Sequence, residues 1–323
     1  MISVIIPIYN EDEDSLRDSI SSILNQSIKE LELILILDNP DFKLGKQVML
    51  EFSELDKRVK LIFNDENLGV ALSLNRGIEI AKYKYIARLD ADDISVSDRL
   101  EKQISYLEKH QHISMLSANC ILIDDEGLEI GKKSTIPTNP KVIKKLLPVG
   151  STIIHSSVVY RTKVVKSLNG YRKLLSCQDY DLWLRMVDEN YEIASLNEYL
   201  VKYRIRSNSI TGSQSLRLLY TERYVRKLHK ERLNNKTDSY SFKNYMEYLD
   251  RHDFFDKNKQ AKYTNASNLL NNGIEHIKNK RFMMGAKNVL RSHFKDFRIV
   301  IREFNIIRYL IYKLYLSIRY RSE

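Results

Sequence analysis

The run Ile86-Ala87-Arg88-Leu89-Asp90-Ala91-Asp92-Asp93 puts three carboxylates within four residues, directly after an apolar stretch that reads as a strand. A hydrophobic interior does not accept so much unpaired negative charge. A hard divalent cation does: Mg²⁺ or Mn²⁺ takes oxygen ligands, usually one or two carboxylates with substrate phosphates completing the shell. Asp90-x-Asp92 at a strand end is therefore read as a metal–diphosphate clamp. The simpler alternative is a solvated turn or a helix cap, since Asp93-Ile94-Ser95 suits the start of a helix. Two more polar clusters follow apolar runs in the same way, Tyr9-Asn10-Glu11 and Asp38-Asn39.

The elements that must position these clusters alternate. Strand-like runs at 3–8, 31–37, 59–63 and 85–89 are separated by helical periods at 15–24, around 48–55 and at 70–81. Such alternation implies a mostly parallel sheet with helices on both faces. Ligands of such sheets bind at the carboxyl ends of the strands, where all three clusters fall. Further on, strands are expected at 115–123 and 152–160, and a helix over 179–187. From 215 onward the pattern is helix after helix, with 261–279 and 282–293 reading as a hairpin. In the last segment Val300, Phe304, Ile307, Ile311, Leu314 and Ile318 form one narrow apolar stripe. Arg298, Arg302 and Lys313 lie opposite it, and Arg308 and Arg319 flank it. This predicts either a helix docked on its own protein or an interfacial helix on an anionic leaflet.

A chain of 323 residues with 43% apolar content suits one large α/β domain with an appendage. Two cysteines, Cys120 and Cys177, do not suggest a disulfide framework or a zinc site. The strand-like start SVIIPIY leads us to expect no basic–apolar leader, and no uncharged apolar run of membrane-spanning length is seen in the sequence. The expected compartment is the reducing cytoplasm, with attachment at the inner face of the plasma membrane. The net charge of +10 is uneven: residues 201–323 carry 27 Lys/Arg and 11 Asp/Glu, residues 1–200 carry 25 and 31. The basic half either meets something anionic, a membrane surface or nucleic acid, or is simply well solvated. No nucleic-acid-binding motif accompanies it, and nucleic acid is not the expected partner.

The segments SVIIPIYNE, LDNPD, NLGVALSLNRGI, RLDADD and QDYDLWLR, in that order over roughly residues 1–210, resemble family 2 glycosyltransferases. The resemblance implies an α/β GT-A fold with a mostly parallel sheet over residues 1–213, and leaves a helical, basic region over 214–323. It implies an inverting transferase that moves a sugar from a UDP-sugar donor to a glycan or lipid-linked oligosaccharide acceptor in bacterial surface-polysaccharide synthesis, with Mn²⁺ or Mg²⁺ as cofactor. A nucleic-acid-binding module and a metal-dependent nucleotidyltransferase are the competing classes.

By the same resemblance, Pro7, Tyr9 and Glu11 contact the nucleotide, Asp38 accepts the uracil N3–H, and Asn67 reaches the nucleotide. Many relatives carry Arg where this chain has Leu74, so Arg88 is the expected cation near the diphosphate. Asp92 would ligate the metal, with Asp90 at the ribose or as a further metal ligand; Asp93 would cap a helix. Asp179, preceded by Gln178 where relatives have Glu, matches the catalytic base. His155 and Trp183 are expected beside the acceptor. Arg206 stands where relatives carry His; being always protonated it cannot ligate a metal but can hold a diphosphate.

Overall fold

The structure is a computed structural model that describes residues 1–134, 137–206 and 216–320. The chain divides into two compact units. The first is Met1–Leu147, Ser151–Lys173 and Asp181–Arg206; the second is Pro148–Gly150, Leu174–Tyr180 and Ser207–Glu323. The expected boundary at 213/214 lies outside the described residues. Two short segments from the middle of the chain belong with the helical unit, which sequence reading did not anticipate.

The first unit runs β1 (Ile2–Ile8), α1 (Glu13–Leu24), β2 (Leu31–Leu37), α2 (Lys43–Leu55), β3 (Val59–Phe63), α3 (Val70–Ile80), β4 (Tyr85–Arg88), β5 (Ile94–Ser95), α4 (Arg99–Lys109), β6 (Ile113–Ile123), β7 (Glu129–Lys133), α5 (Pro140–Leu146), β8 (Val159–Arg161), α6 (Thr162–Ser167), most of α7 (Gln178–Asp188), and β9 (Glu192–Arg204). Among the described residues the sheet order is β3-β2-β1-β4-β8-β6-β9-β5, with β7 paired to β6. Strands β3, β2, β1 and β4 are mutually parallel, and β6 is parallel to β9. The antiparallel intruder is β8, between β4 and β6.

Side-chain alternation explains the layers. Ile2, Val4, Ile6 and Ile8 of β1 and Leu31, Leu33, Leu35 and Leu37 of β2 share one core with Leu16, Ile20 and Ile23 of α1, Val48 and Met49 of α2, and Leu100 and Leu107 of α4. On the other face, Gly77 of α3 rests on Ile5 and Ile36. Both faces of β1 and β2 are covered, which is why they read as continuous apolar runs.

Pro7 lies inside β1 in register with Ile36. Ile8 O accepts from Asp38 N on the β2 side and Ile5 O from Leu89 N on the β4 side, so the missing N–H of Pro7 points toward β4, beyond the last registered pair Ile5–Arg88. No ladder bond is lost there. The strand expected over 152–160 shrinks to Val159–Arg161; His155–Ser157 form a 3₁₀ turn instead. Ser157 Oγ donates to Ile154 O at 2.8 Å and favours the turn over a ladder.

The second unit contains α8 (Leu216–Asn235), α9 (Phe242–Arg251), α10 (Lys257–Lys278), α11 (Phe282–Lys295) and α12 (Arg298–Arg319). The α10–α11 hairpin is as expected. Its helices approach closely at Gly273 and Gly285: a Cβ on Gly285 would fall 2.8 Å from Gly273 O. Helix α12 is turned the opposite way from an ordinary docked amphipathic helix. Ile299, Tyr309 and Leu316 are its buried residues, and Arg302 donates to Ser267 Oγ at 3.0 Å. The apolar stripe from Phe304 to Ile318 is exposed, with Ile311 64% and Ile318 66% accessible. Among the described residues, no helix is long and apolar enough to cross a membrane.

Candidate active site

The Asp cluster sits where β4 ends. A turn closed by Asp93 N donating to Asp90 O at 3.2 Å folds Asp90–Asp93 back on itself. Ser19 of α1 donates to Asp90 O at 2.9 Å and fixes the turn from below. The Arg88 guanidinium is buried and forks onto both carboxylate oxygens of Asp90. Ser156 completes the group: its Oγ donates to Asp90 Oδ2 at 2.8 Å and accepts from Arg88 Nη1 at 3.0 Å. Burial disfavours the Arg88 charge, but Asp90, Tyr171 and Asp93 together hold its pKa above the usual value. Arg88 therefore serves Asp90; the expected contact with a diphosphate is not what its geometry provides. Asp90, expected as a further metal ligand, is 34% exposed and has both oxygens engaged by Arg88. Arg88→Ala leaves the part-exposed Asp90 carboxylate without its cation and is expected to cost about 1–3 kcal/mol of stability, the range for losing a charged hydrogen-bond partner; urea unfolding checks it, and an unchanged stability would contradict this reading.

Asp92 points to a different partner. Its Oδ2 accepts from Arg206 Nε at 2.9 Å, and Arg206 Nη2 reaches Asp12 Oδ2 at 2.7 Å. Asp12 also caps α1 by accepting from Ser15 N at 2.8 Å. Burial and the neighbouring Asp90 raise the Asp92 pKa, with Arg206 opposing. Glu11 is pushed up to about 7, first by burial; the Tyr9 N–H, at 2.9 Å, and its own N–H oppose this, and Asp92 and Asp90 add to the rise. Tyr9 itself is 44% exposed and offers a ring face. Asp93 does not cap the following helix: it is buried and accepts from Arg204 N at 2.9 Å, while Arg204 Nε holds the Asp92 carbonyl at 3.0 Å.

Among the described residues, no three His, Cys, Asp or Glu side chains form a metal cage. The donor set still suits a divalent cation that brings its own phosphates. Glu11, Asp90 and Asp92 concentrate negative charge that raises the Glu11 and Asp92 pKa values, and the Asp92 side chain is 27% exposed. One such carboxylate with a diphosphate is a normal Mg²⁺ or Mn²⁺ site.

A second cluster lies at the ends of β2 and β3. Asp38 is buried and accepts from Asn64 Nδ2 at 2.6 Å, Leu68 N at 2.9 Å and Gly69 N at 2.9 Å. It pins the turn that opens α3. Gly69, at φ 82°, occupies the left-handed region that glycine alone takes without strain. Asn67 is exposed and closes the same turn, accepting from Gly69 N at 3.0 Å. Asn64, which also accepts from Arg76 and donates to Ser73 Oγ at 2.8 Å, escaped sequence reading. Its signal was its place at a carboxyl strand end.

His155 and Trp183 do come together, their rings 5.8 Å apart, with His155 Nε2 2.8 Å from Tyr171 Oη. Trp183 is fully buried, so it packs as core and is no platform for a sugar. Burial and Arg88 keep His155 neutral well below its usual pKa. Asp179 belongs to the second unit, in the first turn of α7, where its Oδ1 accepts from Tyr180 N at 2.8 Å. Its neighbour Ser176 Oγ contacts Arg217 O of α8 at 3.4 Å, and Arg226 of α8 holds Val149 O and Tyr180 Oη at 2.5 and 3.4 Å.

Residues 3–168 match the model of glycosyl transferase family 2. The chain belongs to that family. This glycosyltransferase is 37% identical to an uncharacterised glycosyltransferase, MJ1057, of Methanocaldococcus jannaschii, over 73% of this chain and 82% of that protein. It is 37% identical to the O-antigen biosynthesis glycosyltransferase WbnJ of Escherichia coli, over 66% and 83%. The fold is similar to that of Staphylococcus aureus TarS residues 1–349, solved with UDP-GlcNAc: TM-score 0.58, 17% identity, 83% of this chain and 80% of that one. Against a longer TarS structure the glycosyltransferase covers 42% of the chain. The α/β architecture implied by the sequence resemblance is therefore correct, as is the helical C-terminal region expected from the residue pattern.

Proposed function

We propose that this glycosyltransferase moves a sugar from a UDP-sugar to a hydroxyl of a glycan acceptor carried on a lipid, with inversion, during assembly of a bacterial surface polysaccharide. The observation that carries this reading is the Asp90–Asp93 turn beside Glu11 at the carboxyl ends of β4 and β1, in a family 2 domain. UDP-GlcNAc bound to TarS and the O-antigen role in the name of WbnJ support it.

The residues divide the work. Tyr9 offers its exposed ring to the base. A carboxylate has about four acceptor positions; three N–H groups use three on Asp38, and the fourth suits the uracil N3–H, which cytosine lacks. Asn67 and Gly69 shape the adjoining turn. Asp92 would hold Mn²⁺ or Mg²⁺, which when bound acts as a Lewis acid toward the departing diphosphate. Arg88 and Ser156 lock Asp90 at the turn. Asp179 is the candidate base: it takes the proton of the acceptor hydroxyl as that oxygen bonds to the anomeric carbon and the bond to UDP breaks. A panel of UDP-sugars with Mn²⁺ or Mg²⁺, read by UDP release, tests the reaction class. Pyrophosphate as product would point to nucleotidyl transfer, and no turnover of any UDP-sugar would reject the donor. Asp92→Ala should lose Mn²⁺-dependent UDP binding in calorimetry.

For the lipid-linked acceptor, the supporting observation is the outward apolar stripe of α12. Together α11 and α12 carry eight Lys/Arg and one Glu, a surface that suits an anionic leaflet at the inner face of the plasma membrane.

A further inference from the structure

Arg206 is a feature of the site that the reaction outlined above leaves without a task. Its Nε lies 2.9 Å from Asp92 Oδ2 and its Nη2 2.7 Å from Asp12 Oδ2, so one guanidinium bridges two carboxylates from different elements. The side chain is 28% exposed, and Asp12 is 52% exposed. A guanidinium has five donors in a rigid fork, and two are used here among the described residues. The arginine here is freer than that of the Arg88–Asp90 pair, whose guanidinium side chain is only 4% exposed. The contact is a solvent-accessible pair of the kind that exchanges partners at little cost.

Arg206 thus occupies an oxygen of the carboxylate best placed to receive a cation. A metal ion and a guanidinium cannot share that oxygen at bonding distance. A lone divalent ion approaching Asp92 meets a resident positive charge. A metal that arrives with a diphosphate brings negative charge to which the freed fork can turn.

We propose that Arg206 is the resident counter-cation of Asp92 and Asp12 in the free enzyme, that it competes with the metal for Asp92, and that it passes its charge to the donor diphosphate, so that metal and nucleotide bind together rather than singly. This rests on the reading that the site takes a metal–nucleoside diphosphate.

The test is direct binding of Mn²⁺ to the full chain, followed by electron paramagnetic resonance, with and without UDP. Arg206→Gln should bind Mn²⁺ alone about tenfold more tightly than the unmodified protein, because one positive charge beside a part-exposed carboxylate is gone. The same variant should bind UDP in saturating Mn²⁺ more weakly, by about tenfold. Effects of opposite sign on the two ligands are not what a damaged fold produces. Arg206→Leu, uncharged and unable to ligate Mn²⁺, repeats the test with a different side chain. If Mn²⁺ affinity without UDP is unchanged or weaker in both variants, the proposal is wrong. Asp92→Ala separates the two layers: unchanged Mn²⁺ affinity in that variant rejects the metal reading itself, whatever Arg206 does.

Discussion

Asp179→Asn is expected to bind UDP with unchanged affinity and to lose transfer by on the order of 10²–10⁴-fold, the usual contribution of a general base. Asparagine keeps the shape and the hydrogen bond from Tyr180 N but cannot accept the acceptor's proton. The structure removes the obvious substitute. Asp181, two residues on, is fully buried and paired with Arg185 at 2.8 Å and Arg172 at 3.4 Å. Arg185 in turn donates to Leu168 O and Gly170 O at 2.6 and 2.7 Å, so Asp181 anchors a loop and is committed to that task. Single-turnover transfer with saturating acceptor is the measurement. Near-normal turnover would remove Asp179 from the chemistry, and equal losses in UDP binding and in rate would mean that the substitution disturbs the segment 174–180.

That segment also shows where sequence reading stops. The strands of the first half were legible because β1 and β2 are covered on both faces and leave uninterrupted apolar runs; 59–63 was placed to the residue as β3. The three polar clusters were legible because parallel strands deliver their carboxyl ends to one edge. What each side chain does there was not. Arg88 and Asp90 are two residues apart, yet their pairing depends on Ser156, 66 positions beyond Asp90, brought in by β8 between β4 and β6. Arg206 meets Asp12 across 194 positions. Asp38 reads alike in sequence whether it faces a base or pins the Leu68–Gly69 turn. Periodicity also placed the stripe of α12 correctly without saying which way it faces. That direction goes with the contacts of its other side: buried Ile299, Tyr309 and Leu316, and the part-buried bonds of Arg298 to Tyr220 Oη at 3.2 Å and of Arg302 to Ser267 Oγ.

This orientation makes a strong test of the membrane proposal possible. Ile307, Ile311, Leu314 and Ile318 are 54–66% exposed, so replacing all four with serine should leave the fold nearly intact; surface substitutions stay within about 0.5 kcal/mol each. On an anionic vesicle the same side chains would enter the acyl boundary. Full burial of an Ile or Leu contributes about 1.5–3 kcal/mol. Half of that for each of four residues amounts to roughly 3–6 kcal/mol, or a hundred- to ten-thousand-fold loss of vesicle affinity at 1.4 kcal/mol per decade. The flanking Arg308 and Arg319 would add about 1 kcal/mol each at an anionic surface, a contribution that salt screens over about 8–10 Å. Raising the salt should therefore weaken but not abolish binding, because insertion of the apolar stripe does not depend on screening. A second copy of the chain is the rival occupant of the stripe, and it predicts differently: the unmodified protein would be a dimer in light scattering, the fourfold variant a monomer, and neither would sediment with vesicles. Co-sedimentation with anionic and with neutral vesicles, beside light scattering of both proteins, separates the two. An unmodified protein that stays in the supernatant with anionic lipid at low salt removes the membrane from the account of this face.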